Sequence, residues 1–344
     1  MDQRKPHVWR GRFYNNAHDS IFARMLNTGR VVWMLCKYWL AGRRKKNVLL
    51  ESKSLAAELF VQQQFENQSI QPTVTWLGHA SFLIQMVGLN IITDPVFFTK
   101  SSLVSRYFPS PVRPEQLPPI DIVLISHNHW DHMDEKSLLA LKRYQPTIFV
   151  PMGNKQWFVK RGFLRVRELS WWEDAVIHRS AQPIAVTFLP AEHWSGRSFF
   201  NINKSLWGSW MISCNEQHIY FAGDTAYADH FTAIKNKFPN IHVALMPIGP
   251  KEPRRLLAEA HLGPEEAVKA FIELDAQHFI PMHWATFMFG LDSFFLPIKR
   301  LQIHWDAYVD QLMGKTLHMV KCGEQRTFQT KSQQSKDAEC STLL

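Results

Sequence analysis

The stretch Ile122-Val123-Leu124-Ile125, followed one residue later by His127-Asn128-His129-Trp130-Asp131-His132, puts three imidazoles and a carboxylate within six residues of an apolar run. The run reads as a buried strand and the polar cluster as the loop that leaves its end. Imidazole nitrogen and carboxylate oxygen are donors that suit Zn²⁺, with Fe or Mn as competitors, and no ordinary packing role crowds so many at one strand end. A short loop that bends after the strand can aim His127 and His129 at one ion while Asp131 and His132 turn toward a second. One segment then feeds both halves of a binuclear centre.

More ligands must come from elsewhere in the chain. His193 in Pro190-Ala191-Glu192-His193-Trp194, Asp224 in Ala222-Gly223-Asp224-Thr225 and His283 in Ile280-Pro281-Met282-His283-Trp284 each follow a strand-like run. Taken singly, a histidine after a strand is more often structural and a Gly-Asp pair more often a turn. Their shared placement at strand ends, beside the first cluster, makes them candidates for the remaining positions.

The His-x-His-x-Asp-His pattern with separate His, Asp and His partners resembles the metallo-β-lactamase superfamily. Thr75-Trp76-Leu77-Gly78-His79-Ala80-Ser81, Thr93-Asp94-Pro95, Leu206-Trp207-Gly208-Ser209-Trp210, Pro247-Ile248-Gly249, Glu252-Pro253-Arg254, His261-Leu262-Gly263-Pro264-Glu265-Glu266-Ala267 and Met282-His283-Trp284 are similar to the branch of N-acylphosphatidylethanolamine-hydrolysing phospholipases D. The motifs cover roughly residues 72 to 300, and the first 70 residues match weakly. The resemblance implies an α/β fold, a four-layer αβ/βα sandwich with the metals at the sheet edges. It also implies two zinc ions per chain: His127, His129 and His193 on one, Asp131, His132 and His283 on the other, and Asp224 bridging. Two dications about 3.5–4 Å apart can share a hydroxide whose conjugate acid has a pKa near 7, and can clamp a phosphodiester in its transition state.

The same resemblance assigns His261 to the substrate phosphate or the leaving group, and Asp131 is a candidate to orient the attacking water as well as to ligate. His261 precedes Gly263-Pro264-Glu265-Glu266, a helix start with proline in the first turn and acids where the helix dipole favours them. Asp94, before Pro95, is either a turn residue or a carboxylate that orients a ligand imidazole. Ala226 and Lys251 depart from the family's usual form, which bears on headgroup and acyl preference. Other catalytic signatures are absent: Gly314-Lys315-Thr316 ends like a phosphate loop, but Val309 stands where its first glycine belongs.

With 344 residues, 46% of them hydrophobic, the chain can bury one large core. Strand-like runs near 73–77, 82–86, 90–93, 122–125, 147–150, 184–189, 209–213, 218–222, 242–246 and 279–281 alternate with helical stretches near 135–143, 154–161, 228–237, 264–275 and 293–313, the order of α/β layers. Four dispersed cysteines, Cys36, Cys214, Cys322 and Cys340, argue against structural disulfides and for a reducing compartment. No start resembling a secretory signal and no run of 18 apolar residues is seen, so the expected location is cytoplasmic with peripheral membrane association.

Charge is uneven. Residues 1–53 hold 12 Lys or Arg against 3 Asp or Glu, so the whole formal excess of +9 lies there. Within residues 16–46, Val31-Val32-Trp33-Met34-Leu35 and Tyr38-Trp39-Leu40 sit beside Arg43-Arg44-Lys45-Lys46, the make-up of a basic amphipathic helix that settles among lipid headgroups. A helix packed on the catalytic domain or at a homodimer contact is the rival reading. Nucleic acid is the other partner for a basic segment, and the apolar stretch Val31–Leu40 speaks against it. The division expected is a basic extension over 1–70, a catalytic domain over 71–330 and a disordered polar tail over 331–344. Trp171-Trp172, Trp194, Phe199-Phe200, Trp207, Trp210, Phe287 and Phe289 are candidates for an acyl-chain groove or for core. The function expected is hydrolysis of N-acylphosphatidylethanolamine to an N-acylethanolamine and phosphatidic acid; a hydrolase of soluble lactones or phosphorylated sugars, and a metal-bearing lipid-binding protein, are the alternatives.

Overall fold

A computed structural model describes residues 5–15, 71–98, 112–178, 182–287 and 292–329, with Val61, Phe65, Ser69, Arg106 and Ser110 singly between them. The expected interfacial helix within 16–46, the tail 331–344, Phe289, Cys36 and Cys340 lie outside the described residues. A hairpin of β1 (His7–Trp9) and β2 (Arg12–Tyr14) comes first. One sheet is then built from β3 (Thr73–Gly78), β4 (Ser81–Met86), β5 (Leu89–Thr93), β6 (Ile122–Leu124), β7 (Thr147–Pro151) and β8 (Val166–Leu169). The second takes β9 (Asp174–Ile177), β10 (Ile184–Leu189), β11 (Ser209–Cys214), β12 (Gln217–Phe221), β13 (Ile241–Pro247), β14 (His278–Met282) and β15 (Thr316–Leu317). β16 (Gln325–Thr327) returns to the first sheet beside β3.

The two sheets mirror one another. The first runs β16-β3-β4-β5-β6-β7-β8 and the second β15-β14-β13-β12-β11-β10-β9. In each, four strands pair antiparallel and the remaining three continue parallel. Strict alternation assigns the faces, as the period of two requires. Phe82, Ile84, Ile122 and Leu124 point between the sheets to meet Val186, Phe188, Trp210 and Phe221, while Leu83, Ile92, Val123 and Ile125 point outward. Both faces of β6 are therefore buried, which is why its sequence is apolar without interruption.

Helices cover both outer faces. α1 (Glu135–Leu141) and α2 (Lys155–Val159) put Leu138, Leu141 and Phe158 on the outward side chains of the first sheet. α3 (His230–Lys237), the short α4 (Arg254–Leu257), α5 (Pro264–Leu274) and α6 (Leu296–Ala307) follow, and α3, α5 and α6 add Phe231, Val268, Phe271 and Leu301 to the core. α1 starts where Asp134 accepts the Ser137 N–H at 2.9 Å, and α5 where Glu266 accepts the Gly263 N–H at 2.7 Å. The expected αβ/βα sandwich is the fold observed.

All ten expected strands form. β1, β2, β8, β9, β15 and β16 lie outside the expected runs; they are two to four residues long, too short to leave a periodic signal. The last helix is shorter than the expected 293–313. The hairpin β1–β2 docks on the body of the protein: Phe13 donates its N–H to Asn203 O at 2.8 Å, and Asn15 Nδ2 reaches the carbonyl of His193 at 3.1 Å.

Candidate metal centre

Strand direction gathers the site. β3, β5 and β6 run the same way in one sheet, as do β10, β12 and β14 in the other. His79 follows β3, Asp94 follows β5, the segment His127–His132 follows β6, and His193, Asp224 and His283 follow β10, β12 and β14. Gly223 makes the turn after β12 tight enough: its φ is +59°, and a Cβ there would lie 2.6 Å from Ser126 Cβ and 2.9 Å from Gly208 O.

Asp224 stands in the middle. Its Oδ2 is 3.3 Å from His132 Nε2 and 3.1 Å from His283 Nε2, and Asp131 Oδ2 lies 3.3 and 3.7 Å from the same two nitrogens. Zinc bonds of about 2.1 Å imply donor–donor separations of about 3.4 Å in a tetrahedron. His132 and His283 thus each lie at ligand-to-ligand spacing from both carboxylates, and Asp131, His132 and His283 put donor atoms within 4.8 Å of one another, with His79 beside them. On the other side His129 Nδ1 is 2.8 Å from His127 Nε2 and 3.3 Å from His193 Nε2, with Asp224 Oδ2 at 4.0 and 3.9 Å from His127 and His193. Two groups of donors share one carboxylate. Asp224 Oδ1 and His261 Nδ1 are buried without a hydrogen-bond partner among the described residues, which marks space meant for a ligand.

The ring positions are fixed from behind. His127 Nδ1 meets Ser126 Oγ at 2.9 Å, His132 Nδ1 meets Asp94 Oδ2 at 2.7 Å, and His193 Nδ1 donates to the Ala260 carbonyl at 2.8 Å. Each contact leaves the other ring nitrogen facing the centre. The segment 127–132 is itself clamped: Asn128 joins Ser205 Oγ at 2.7 Å and the Gly196 N–H at 2.8 Å, while Arg197 donates to Met133 O at 2.7 Å and lies 3.6 Å over the Trp130 ring.

His261 Nδ1 lies 3.7 Å from Asp224 Oδ2. Its backbone is pinned by Arg254, whose guanidinium reaches both the His261 carbonyl at 2.8 Å and Glu266 at 2.5 Å. The Glu-Pro-Arg motif and the start of α5 thus serve to present one imidazole.

Electrostatics divide the imidazoles into two kinds. Burial and the neighbouring rings hold His127 well below 6.5; His193 is also held there, by burial first, and burial pushes His129 and His261 down to about 4. His132 and His283 go the other way. Burial opposes their charge, but Asp224 and Asp131 overcome it, leaving His132 well above 6.5 and His283 at about 9. Burial likewise opposes ionisation of Asp131 and Asp224, yet the imidazoles around them keep both well below the usual carboxylate range. Six or more potential donors around two obligate anions is a charge pattern that a pair of divalent cations completes.

The structure brings together His127, His129, Asp131, His132, His193, Asp224, His283 and His261. Asp94 takes the orienting position rather than that of a bare turn residue. His79, part of the Thr75–Ser81 motif, also ends a strand-like run, and its Nε2 is 2.9 Å from Asp131 Oδ2. Arg197 and Asn128 carried no signal, since a lone Arg or Asn in a loop looks like surface. Among the aromatic residues, Trp171, Trp207 and Trp210 are buried in the hydrophobic core. Trp194 packs on His129 at 4.2 Å and Phe287 on His79 at 4.9 Å, and Phe200 is 85% exposed.

Residues 89–284 match the model of the beta-lactamase superfamily domain. The chain is 34% identical over 250 residues to N-acyl-phosphatidylethanolamine-hydrolyzing phospholipase D 1 of Caenorhabditis elegans, covering 69% of this chain and 70% of that one. It is also 34% identical over 258 residues to the mitochondrial N-acyl-phosphatidylethanolamine-hydrolyzing phospholipase D of Saccharomyces cerevisiae, covering 72% of this chain and 55% of the yeast protein. Among solved structures, a metallo hydrolase from Ignicoccus hospitalis superposes with a TM-score of 0.60 at 22% identity, covering 76% of this chain and all of that one. An isothiocyanate hydrolase from Delia radicum gut bacteria gives 0.57 at 16% identity over 74% of this chain and 98% of its own. These two show the fold alone.

Proposed function

The chain belongs to the metallo-β-lactamase superfamily, in its branch of N-acylphosphatidylethanolamine-hydrolysing phospholipases D, and from that premise we propose that this metal-dependent hydrolase is a two-zinc phosphodiesterase cleaving N-acylated phosphatidylethanolamine. The observation that carries the reading is the position of the Asp224 carboxylate between two sets of donors, 3.1 and 3.3 Å from His283 and His132 and 3.9 and 4.0 Å from His193 and His127. His127, His129 and His193 would hold one zinc, Asp131, His132 and His283 the other, and Asp224 both. Bound zinc ions supply a water of lowered pKa and neutralise charge on the phosphodiester.

The chain's own groups do the rest. Asp131 and Asp224, held ionised, are acceptors that orient a water proton and are poor proton stores. His261 is held neutral by burial, so its role is an N–H donor to a phosphate oxygen in preference to an acid that gives up its proton. Water adds to phosphorus and the bond to the ethanolamine oxygen breaks, giving an N-acylethanolamine and a phosphatidic acid, with solvent returning the proton to the leaving oxygen.

A lipid substrate calls for a lipid surface. The separation of charge supports contact through residues 16–46, and hence a cytoplasmic protein peripherally attached to membrane. Among the described residues, no helix is long and apolar enough to cross a membrane. The test incubates zinc-loaded full-length protein with vesicles of N-acylated and of unmodified phosphatidylethanolamine and reads the products by mass spectrometry. Phosphatidic acid and N-acylethanolamine from the first is the expected result; product from neither, with rapid hydrolysis of a soluble ester, refutes it. Replacing Arg43, Arg44, Lys45 and Lys46 by Glu should weaken binding to anionic vesicles and leave turnover of a soluble short-chain substrate unchanged. Undiminished vesicle binding would refute the contact.

A further inference from the structure

We propose that His79 is a positioning residue of the metal centre, its Nε2–H holding the Asp131 carboxylate in the orientation in which Asp131 meets a cation. The proposal rests on the reading of Asp131 as a ligand given above.

The His79 ring comes within 2.9 Å of Asp131 Oδ2. An ionised carboxylate only accepts, so the proton of that bond is on the imidazole and His79 is the donor. Asp131 reaches the centre from a loop, and a carboxylate on a loop has two free torsions. Without a second contact its oxygen would not keep the separations of 3.3 and 3.7 Å from His132 and His283. The arrangement reverses the one behind His132: there a carboxylate steers an imidazole ligand, and here an imidazole steers a carboxylate ligand.

His79 is itself held more tightly than packing alone demands. Its φ of +55° lies in the left-handed region that a side chain with a Cβ disfavours. Three contacts impose that conformation: the His79 N–H donates to Thr286 Oγ1 at 2.7 Å, and its carbonyl accepts from Trp76 Nε1 at 2.9 Å and from the His283 N–H at 3.2 Å. The last ties it to another candidate ligand, whose φ is +61° and whose ring centroid lies 4.0 Å away. Phe287 packs edge-on against the ring at 4.9 Å. Strain kept in place by three hydrogen bonds, at a ring directed to a buried carboxylate, points to a function for the ring.

The test compares His79→Gln with His79→Met in the full-length protein. The two side chains match in length and remove the ring equally, but only the amide donates. Stepwise titration of the metal-free variants with Co²⁺, followed by visible absorption, reads each cation's affinity separately from turnover. The methionine variant should lose about 10–100-fold in affinity for one of the two cations, and the glutamine variant should stay within about threefold of the parent. Equal affinities in the two variants, at whatever level, overturn the proposal. A parent protein that takes up only one equivalent overturns the two-cation reading instead.

Discussion

Asp94 Oδ2 accepts a 2.7 Å hydrogen bond from His132 Nδ1, with both side chains fully enclosed. The same carboxylate accepts the Ser126 N–H at 2.7 Å and the Ser126 hydroxyl at 2.5 Å, and that hydroxyl meets His127. One side chain therefore steers candidate ligands of both cations. Asp94→Asn turns an N–H₂ toward groups that themselves donate, and it should weaken cation binding about 10–100-fold. Competition against a chromophoric chelator would show this; unchanged affinity would mean that Asp94 only closes a turn.

His261 touches Asp224 from the open side and no orienting contact depends on its ring. His261→Ala should keep the full cation content and lose about 10²–10³ in kcat, the size expected for one donor to a charged transition state. Elemental analysis beside the kinetics decides it, since loss of metal would place His261 among the ligands.

Gly223 has no room for a methyl group. Gly223→Ala combines a left-handed backbone with contacts of 2.6 Å to Ser126 and 2.9 Å to Gly208, and should cost about 2–4 kcal/mol. Thermal melts should fall by several degrees and Asp224 should bind cations less well. A neutral effect on both would show that the turn after β12 adapts.

The cation-free protein should be most stable near pH 6.5. His132 and His283 have raised values, so their contribution is complete below 6.5 and is lost as pH rises through the folded values, about 9 for His283. His129 and His261, lowered to about 4, act in the opposite sense: between 6.5 and 4 the unfolded chain binds protons that the folded one refuses, so stability falls as pH drops. Chelator-treated protein melted across pH 4–10 should show a maximum, and a melting temperature rising steadily with pH would contradict the assignment.

The strands and the first ligand cluster were legible because both are local. An apolar run of four residues before His127 announces a buried strand, and four donors in six residues announce a metal. Asp224 and His283 were readable only as strand ends, and His193 likewise. His79 ends a strand in the same way, yet one imidazole after Leu77-Gly78 looks no different from a structural histidine until Asp131 is seen beside it. Arg197 was hidden for the same reason. The edge strands escaped because pairing, not side-chain pattern, creates them.

By itself the amino-acid order determined the layered α/β architecture and the kinds of donor present, since apolar runs alternating with helical stretches and a dense run of imidazoles are properties of neighbours along the chain. Which donors share a cation was decided only in three dimensions. Parallel strands in two facing sheets deliver their ends to one rim, and the separations of 3.1 to 3.7 Å from the Asp131 and Asp224 carboxylates to His132 and His283 arise from strand register and from buried hydrogen bonds between residues up to 207 positions apart.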